Sequence, residues 1–157
     1  MNIRLLAIGK TDNKALQSLI DDYQKRLSFY IKFDIEIIPD IKNVKHLSEA
    51  QQKEKEGELI LGKLTPTDQL VLLDENGKHF SSMGFSEELQ KKMNSGVKTL
   101  VYVIGGPYGF SDALYQKAQG KIALSSMTFS HQMVRLFFIE QLYRGFTILK
   151  NEPYHHQ

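Results

Sequence analysis

Apolar residues recur along this chain at two spacings, and the switching between them sets the expected fold class. Residues 3–9 form a nearly continuous apolar run closed by Gly9, the pattern of a strand buried on both faces of a sheet. Residues 13–27 place Leu16, Leu19, Ile20, Tyr23 and Leu27 three and four apart, which is helical period. Residues 33–38 alternate as a second strand and stop at Pro39. Over residues 44–64 helical spacing returns: Leu47, Ala50, Leu61 and Leu64 share a stripe, with Lys53, Glu54, Lys55 and Glu56 as a solvated face. Residues 69–74 (QLVLLD) are the clearest central strand, ended by a turn at Glu75, Asn76, Gly77 and Lys78. A helix over 86–94, a strand over 99–104 (TLVYVI), a helix over 113–118, a brief strand over 121–124 and a last helix over 131–149 follow. Strand and helix in strict alternation predict parallel strands joined by crossovers, hence an α/β sheet covered on both sides.

Ligands of such sheets sit beyond the carboxyl ends of the strands, which directs attention to the residues after Asp74, Ile104 and Leu124. Composition narrows the classes further. With 157 residues, 41% of them hydrophobic and 24% charged, the chain fits one ordinary domain spanning residues 1–157. Neither a repeat nor a Pro/Gly/Ser linker marks a second one. The absence of cysteine removes disulfides, thiolate metal sites and a thiol nucleophile, and fits a reducing, cytoplasmic setting. The apolar run Leu5 to Ile8, between Arg4 and Lys10, is too short for a signal-peptide core or a membrane span. A net charge of +2 tolerates a phosphate backbone without demanding one.

The fourth strand runs into Gly105, Gly106, Pro107, Tyr108, Gly109 and Phe110, and then Ser111 and Asp112, which can cap a helix. Three glycines in five residues let backbone amides approach a ligand, although a tight turn would ask for the same residues. Phosphate readings fail on spacing. A P-loop ending at Gly9, Lys10 and Thr11 needs glycine where Arg4 stands, and Gly105, Gly106 and Gly109 do not make G-x-G-x-x-G. A ligand here is therefore not held by phosphates. The fifth strand leads into Ser125, Ser126, Met127, Thr128, Phe129, Ser130 and His131, a hydroxyl-rich loop in which Met127 and Phe129 are suited to sandwich a flat ring and Ser130 to cap the last helix.

That last helix is apolar over most of its circumference, so it needs burial on more than one side, and a second subunit is one way to supply it. Its polar interruptions are Arg135, Glu140, Gln141 and Arg144, the last reading equally as a surface or interface ion-pair partner. The tail from Asn151 to Gln157 has the makeup of a frayed end, and its adjacent His155 and His156 are a poor metal site without a third ligand.

Taken in order, several blocks carry a more specific signal: 55–58 (KEGE), Leu73 and Asp74 with Gly77, 104–109 (IGGPYG), 127–131 (MTFSH), Val134 with Arg135, 140–144 (EQLYR), and Asn151 with Pro153, Tyr154 and His155. Together, over the whole chain, they resemble the small bacterial ribosomal RNA methyltransferases of type H in the SPOUT superfamily. The resemblance implies a SPOUT fold with a C-terminal trefoil knot, an exception to the rule against threaded chains, and a homodimer. It further implies S-adenosyl-L-methionine as cofactor, held by Leu73, Gly105, Gly106 and the stretch Ser125, Ser126, Met127, Thr128, Phe129 and Ser130. Arg144, Tyr154 and His155 would face the RNA and act in catalysis, with no metal and no membrane involved. The implied reaction is methylation of N3 of a pseudouridine in 23S rRNA, with the assembled ribosome as partner. Two positions depart from the pattern: Ser130 stands where many relatives have proline, and Gly145 where alanine is common, at a local helix cost of roughly 1 kcal/mol.

In-line placement of a ring nitrogen against a sulfonium methyl needs no metal, but the proton on that nitrogen must leave. Arg144 is expected to orient phosphate or stabilise the developing negative charge, and Tyr154 and His155 to stack on the base or deprotonate it. A non-enzymatic RNA-binding module that retains a small-molecule pocket is the alternative class. The failed P-loop spacing disfavours a nucleotide-hydrolysing enzyme.

Overall fold

Side chains that alternate along the strands divide the interior into two cores, one on each face of the sheet. In the computed structural model, which describes residues 1–156, the elements are β1 (Asn2–Ile8), α1 (Lys14–Leu27), β2 (Lys32–Ile38), α2 (Glu49–Leu61), β3 (Asp68–His79), α3 (Ser82–Asn94), β4 (Thr99–Ile104), α4 (Asp112–Lys117), β5 (Gly120–Ala123) and α5 (Met133–Leu149). The five strands form one sheet in the order β2-β1-β4-β3-β5, every neighbouring pair parallel. Ile3, Leu5 and Ala7 of β1 join Leu100, Tyr102 and Ile104 of β4 on the face covered by α1, α3 and α5. Leu6, Ile8, Val101 and Val103 point the other way, against Ile60 of α2 and Leu114 of α4. The expected α/β architecture with a parallel sheet is therefore the one found, because period-2 apolar strands need cover on both faces.

Three local readings change. The single helix expected over residues 44–64 is broken. Val44–His46 is a short 3-10 turn entered through Asn43 at φ 59°, and α2 starts afresh after Ser48. Ser48 accepts the Gln51 amide at 3.1 Å while the Gln51 side chain accepts the Ser48 amide at 2.9 Å, a reciprocal cap that fixes the new start. Helix α3 likewise begins four residues earlier than its apolar spacing suggested, since Ser81 accepts the Gly84 amide at 3.1 Å.

The third change concerns β3, which does not end at Asp74. Ile122 of β5 pairs with both Leu73 and Lys78, so residues 74–77 are extruded as a bulge and the strand resumes. The turn chemistry of Glu75, Asn76 and Gly77 is spent inside a strand. A Cβ on Gly77 would lie 2.6 Å from both the backbone N and C of Ile122. Gly77→Ala is expected to cost about 2 kcal/mol by overpacking a backbone that cannot retreat, read as a lowered midpoint in urea unfolding.

The apolar circumference of α5 is largely used within the chain. Phe138, Ile139, Leu142 and Phe146 are buried in the core shared with α1 and α3, and α5 contacts both of those helices. At Gly145 a Cβ would come within 2.9 Å of Leu89 Cδ1, so the glycine lets α3 approach closely. Arg135, expected as a polar interruption, is only 1% exposed. It donates to the Ile8 carbonyl at 2.7 Å and to Thr11 Oγ1 at 2.9 Å, tying the start of α5 to the end of β1. Burial lowers its pKa, and Asp40 and Asp12 oppose that.

Candidate functional site

Register brings the carboxyl ends of three strands into one row: Leu73 of β3 pairs with Ile104 of β4 and with Ile122 of β5. Beyond that row opens a cleft of about 670 Å³, walled by the β3 bulge, the glycine loop after β4 and the serine loop after β5. The volume falls in the range of small-molecule sites. Leu73, Gly105, Gly106, Ser125, Met127, Thr128, Phe129 and Ser130 all line it, whereas Ser126 lies in the same loop outside the lining. Ile104, Phe110, Ile122, Leu124 and Val134 add apolar surface.

Each wall is shaped by local bonds. Gly109 at φ 79° closes a turn in which its amide reaches the Gly106 carbonyl at 3.3 Å. In the serine loop, Ser125 Oγ accepts the Met127 amide at 2.9 Å. Ser130 caps the approach to α5, its Oγ taking the Met133 amide at 3.1 Å and its carbonyl the Val134 amide at 3.0 Å. The bulge contributes Asp74, whose two carboxylate oxygens accept the Asn76 amide at 2.7 Å and the Tyr115 hydroxyl at 2.5 Å. Burial and this bond push the Tyr115 phenol up to about 12, so it stays a donor. Asp74 and Glu75 line the cleft, and among the described residues no lysine or arginine does. Such a site suits a cationic or neutral ligand and opposes a phosphorylated one.

Sequence reasoning missed what lies under the glycine loop. Glu56, expected on a solvated face, is 3% exposed. Its Oε1 accepts from Gln52 at 2.9 Å, Oε2 has no partner, and a Cβ on Gly106 would stand 2.2 Å from Oε2. The buried residues of α2 are Glu56, Gly57 and Ile60, a face offset from the stripe of Ala50 and Leu61, so apolar periodicity assigns Glu56 to solvent. Desolvation raises the Glu56 pKa, and Asp40 adds to the effect. A carboxyl raised in the folded state contributes fully only below its unfolded pKa of about 4.3, and the contribution is lost as pH rises through the folded value. Glu56→Gln is therefore expected to raise Tm by a few degrees near pH 8, with the gain vanishing by pH 4. Thermal unfolding across that range checks it.

The other predicted residues gather elsewhere. Arg144, Tyr154 and His155 meet one another, but none lines the cleft. Glu140 Oε1 accepts Arg144 Nη2 at 2.5 Å, Arg144 Nε at 3.1 Å and the Tyr154 hydroxyl at 3.0 Å. The Arg144 guanidinium lies 4.7 Å from the Tyr154 ring centre, and its Nη1 is 3.3 Å from His155 Nδ1. Residues 152–155 do not fray but are fastened: Tyr154 packs edge-on against Tyr143 at 4.7 Å, its hydroxyl lies 3.0 Å from that of Tyr23, and Tyr30 donates to Glu152, while Gln157 lies outside the described residues. Tyr23 and Tyr30, from α1 and the turn after it, had no sequence signal beyond apolar spacing. Among the described residues no group of three or more potential ligands could hold a metal ion, and no helix is long and apolar enough to cross a membrane.

Comparison with known proteins agrees with this arrangement. A family model described as "Predicted SPOUT methyltransferase" matches residues 1–155. The chain is 85% identical to the ribosomal RNA large subunit methyltransferase H of Flavobacterium johnsoniae and 83% identical to that of Flavobacterium psychrophilum, in each case over the full length of both chains. With the protein of the same name from Parabacteroides distasonis it shares 64% identity, again over the whole of both. A parallel sheet with a glycine-loop cleft, matched end to end by these sequences, places the chain in the SPOUT methyltransferases, within the family of the large subunit methyltransferase H proteins.

Proposed function

We propose that this protein methylates large-subunit ribosomal RNA with S-adenosyl-L-methionine as donor, the target being N3 of a pseudouridine in 23S rRNA. The observation that carries the reading is the cleft itself: two backbone-rich loops, an apolar floor, acidic Asp74 and Glu75, and no lysine or arginine among its described lining residues. Those features fit a ligand that carries a flat ring and a sulfonium but no phosphate. Leu73, Gly105, Gly106 and the loop Ser125, Ser126, Met127, Thr128, Phe129 and Ser130 would hold it. When bound it supplies an activated methyl group. The chain's own part is to fix the acceptor base in line and manage charge, for which Arg144, Tyr154 and His155 are the candidates.

Residues 1–157 would act as one domain, with the family's trefoil knot formed by the segment that carries both loops, in a cytoplasmic homodimer working on the assembled ribosome. The separation of the tail cluster from the cleft in one chain supports an active site shared between subunits. So does the apolar strip of Met127 (76% exposed), Phe129 (37%) and Phe137 (38%) beside a smaller apolar cleft.

Two measurements test the reading. Titration calorimetry with S-adenosyl-L-methionine should show binding, and ribosomes from a strain lacking the gene should accept labelled methyl at a single pseudouridine, located by primer extension. Binding without transfer would favour a non-enzymatic RNA-binding module. Mixing a tail-deleted chain with a cleft-loop variant should restore partial activity, and no rescue in dimers shown to exchange subunits would refute the shared site.

A further inference from the structure

The hydrogen bonds of the tail assign its protons, because each donor there has few to give. Arg144 is a guanidinium with donors only, so its 3.3 Å contact with His155 requires Nδ1 to be the acceptor. A neutral imidazole that accepts at Nδ1 carries its proton on Nε2. Among the described residues no hydrogen bond is formed by that Nε2. His155 is half-buried, not enclosed, so the group is placed to serve another molecule.

Tyr154 is committed in the same way. Its one proton goes to Glu140 Oε1 at 3.0 Å, so the 3.0 Å contact with Tyr23 is one in which Tyr23 donates. Burial, together with the bonds to Tyr23 and Glu140, raises the Tyr154 phenol well above its ordinary value. Glu140 Oε1, which takes three hydrogen bonds, and Oε2, which takes the Gln141 amide at 2.8 Å, leave that carboxylate little capacity for a further proton.

We propose that His155 acts as a neutral hydrogen-bond donor through Nε2, and that Arg144 and His155 together form an anion-stabilising surface with no proton acceptor for the substrate. This rests on the reading that the tail faces the target base. A uracil-type ring places N3–H between two carbonyl oxygens. When N3–H breaks, the proton passes to solvent water, and the electron pair left on the ring spreads onto those oxygens until it forms the new N–C bond. Donors on the oxygens stabilise that anion. A cytosine ring, with an amino group in place of one carbonyl, would set a donor against a donor. The same arrangement thus selects a uracil-type base.

The full chain labelled with ¹⁵N-histidine tests this directly. Long-range proton–nitrogen correlation should show the His155 ring, identified by its loss in His155→Gln, protonated on Nε2 and free on Nδ1 at neutral pH. A ring protonated on Nδ1, or on both nitrogens, overturns the proposal. On ribosomes, His155→Gln keeps a donor in the place of Nε2 but cannot act as a base, and should stay within about tenfold of wild type, while His155→Ala falls at least 100-fold. Equal loss in both variants would restore the general-base role and sink the donor role. Absence of methyl transfer by the wild-type chain would instead defeat the methyltransferase reading, and the ring measurement would still decide the tautomer.

Discussion

Ending the chain after Pro153 is expected to leave S-adenosyl-L-methionine affinity within about twofold of wild type and to reduce methyl transfer at least 1000-fold. Among the described residues removed, neither Tyr154 nor His155 lines the cleft. The truncation takes away the Nε2 donor and uncovers Arg144, which still pairs with Glu140 but loses the ring it stacks on. Under the proposed roles, Arg144, Tyr154 and His155 would act as a unit, and groups that do so are not additive, so partial activity is not expected to survive the loss of two of the three. Calorimetry for the cofactor and single-turnover transfer to ribosomes separate the two effects. Turnover retained within tenfold would remove the tail from the reaction, whereas cofactor binding lost in parallel would mean that the tail supports the cleft.

Gly106→Ala is expected to weaken cofactor binding roughly 100-fold, close to 2.7 kcal/mol. The added methyl would sit 2.2 Å from Glu56 Oε2 and 2.7 Å from its carboxyl carbon, and the carboxyl is buried with its side chain held by Gln52. The loop must therefore move outward into the cleft. Glu56→Ala on its own leaves a cavity under the loop, but in combination with Gly106→Ala it vacates the volume the methyl needs. The double variant should recover a tenfold or larger part of the lost affinity, a coupling that a double-mutant cycle reads directly. Additive losses would show that the glycine serves the ligand alone.

Much of this organisation is legible in the residues. Strand β4 lies at its expected limits, Asn13 caps α1 by accepting the Leu16 amide, and both ligand loops follow strands whose ends share a row. Illegible features are those decided by a distant partner. Glu56 sits in a run of charges that any local pattern assigns to solvent, and only its packing beneath Gly106, on the face that also carries Gly57 and Ile60, shows that it points inward. Glu75, Asn76 and Gly77 carry the chemistry of a chain reversal, yet the parallel neighbour β5 is paired on both sides of them, so the chain bulges and continues. Arg135 reads as a break in an apolar helix because nothing nearby in sequence reveals the Ile8 carbonyl that receives it. Tyr23 shares the spacing of core residues, and its hydroxyl finds its use 131 positions later.

That last separation bears on synthesis. Tyr23 leaves the translating ribosome early and then waits for Tyr154, 131 residues later. A nascent chain stalled before Tyr154 already holds every residue that lines the cleft and lacks this partner. The Tyr23–Tyr154 link therefore closes after every residue of the cleft is present, a long-range contact whose loop-closure cost is met late.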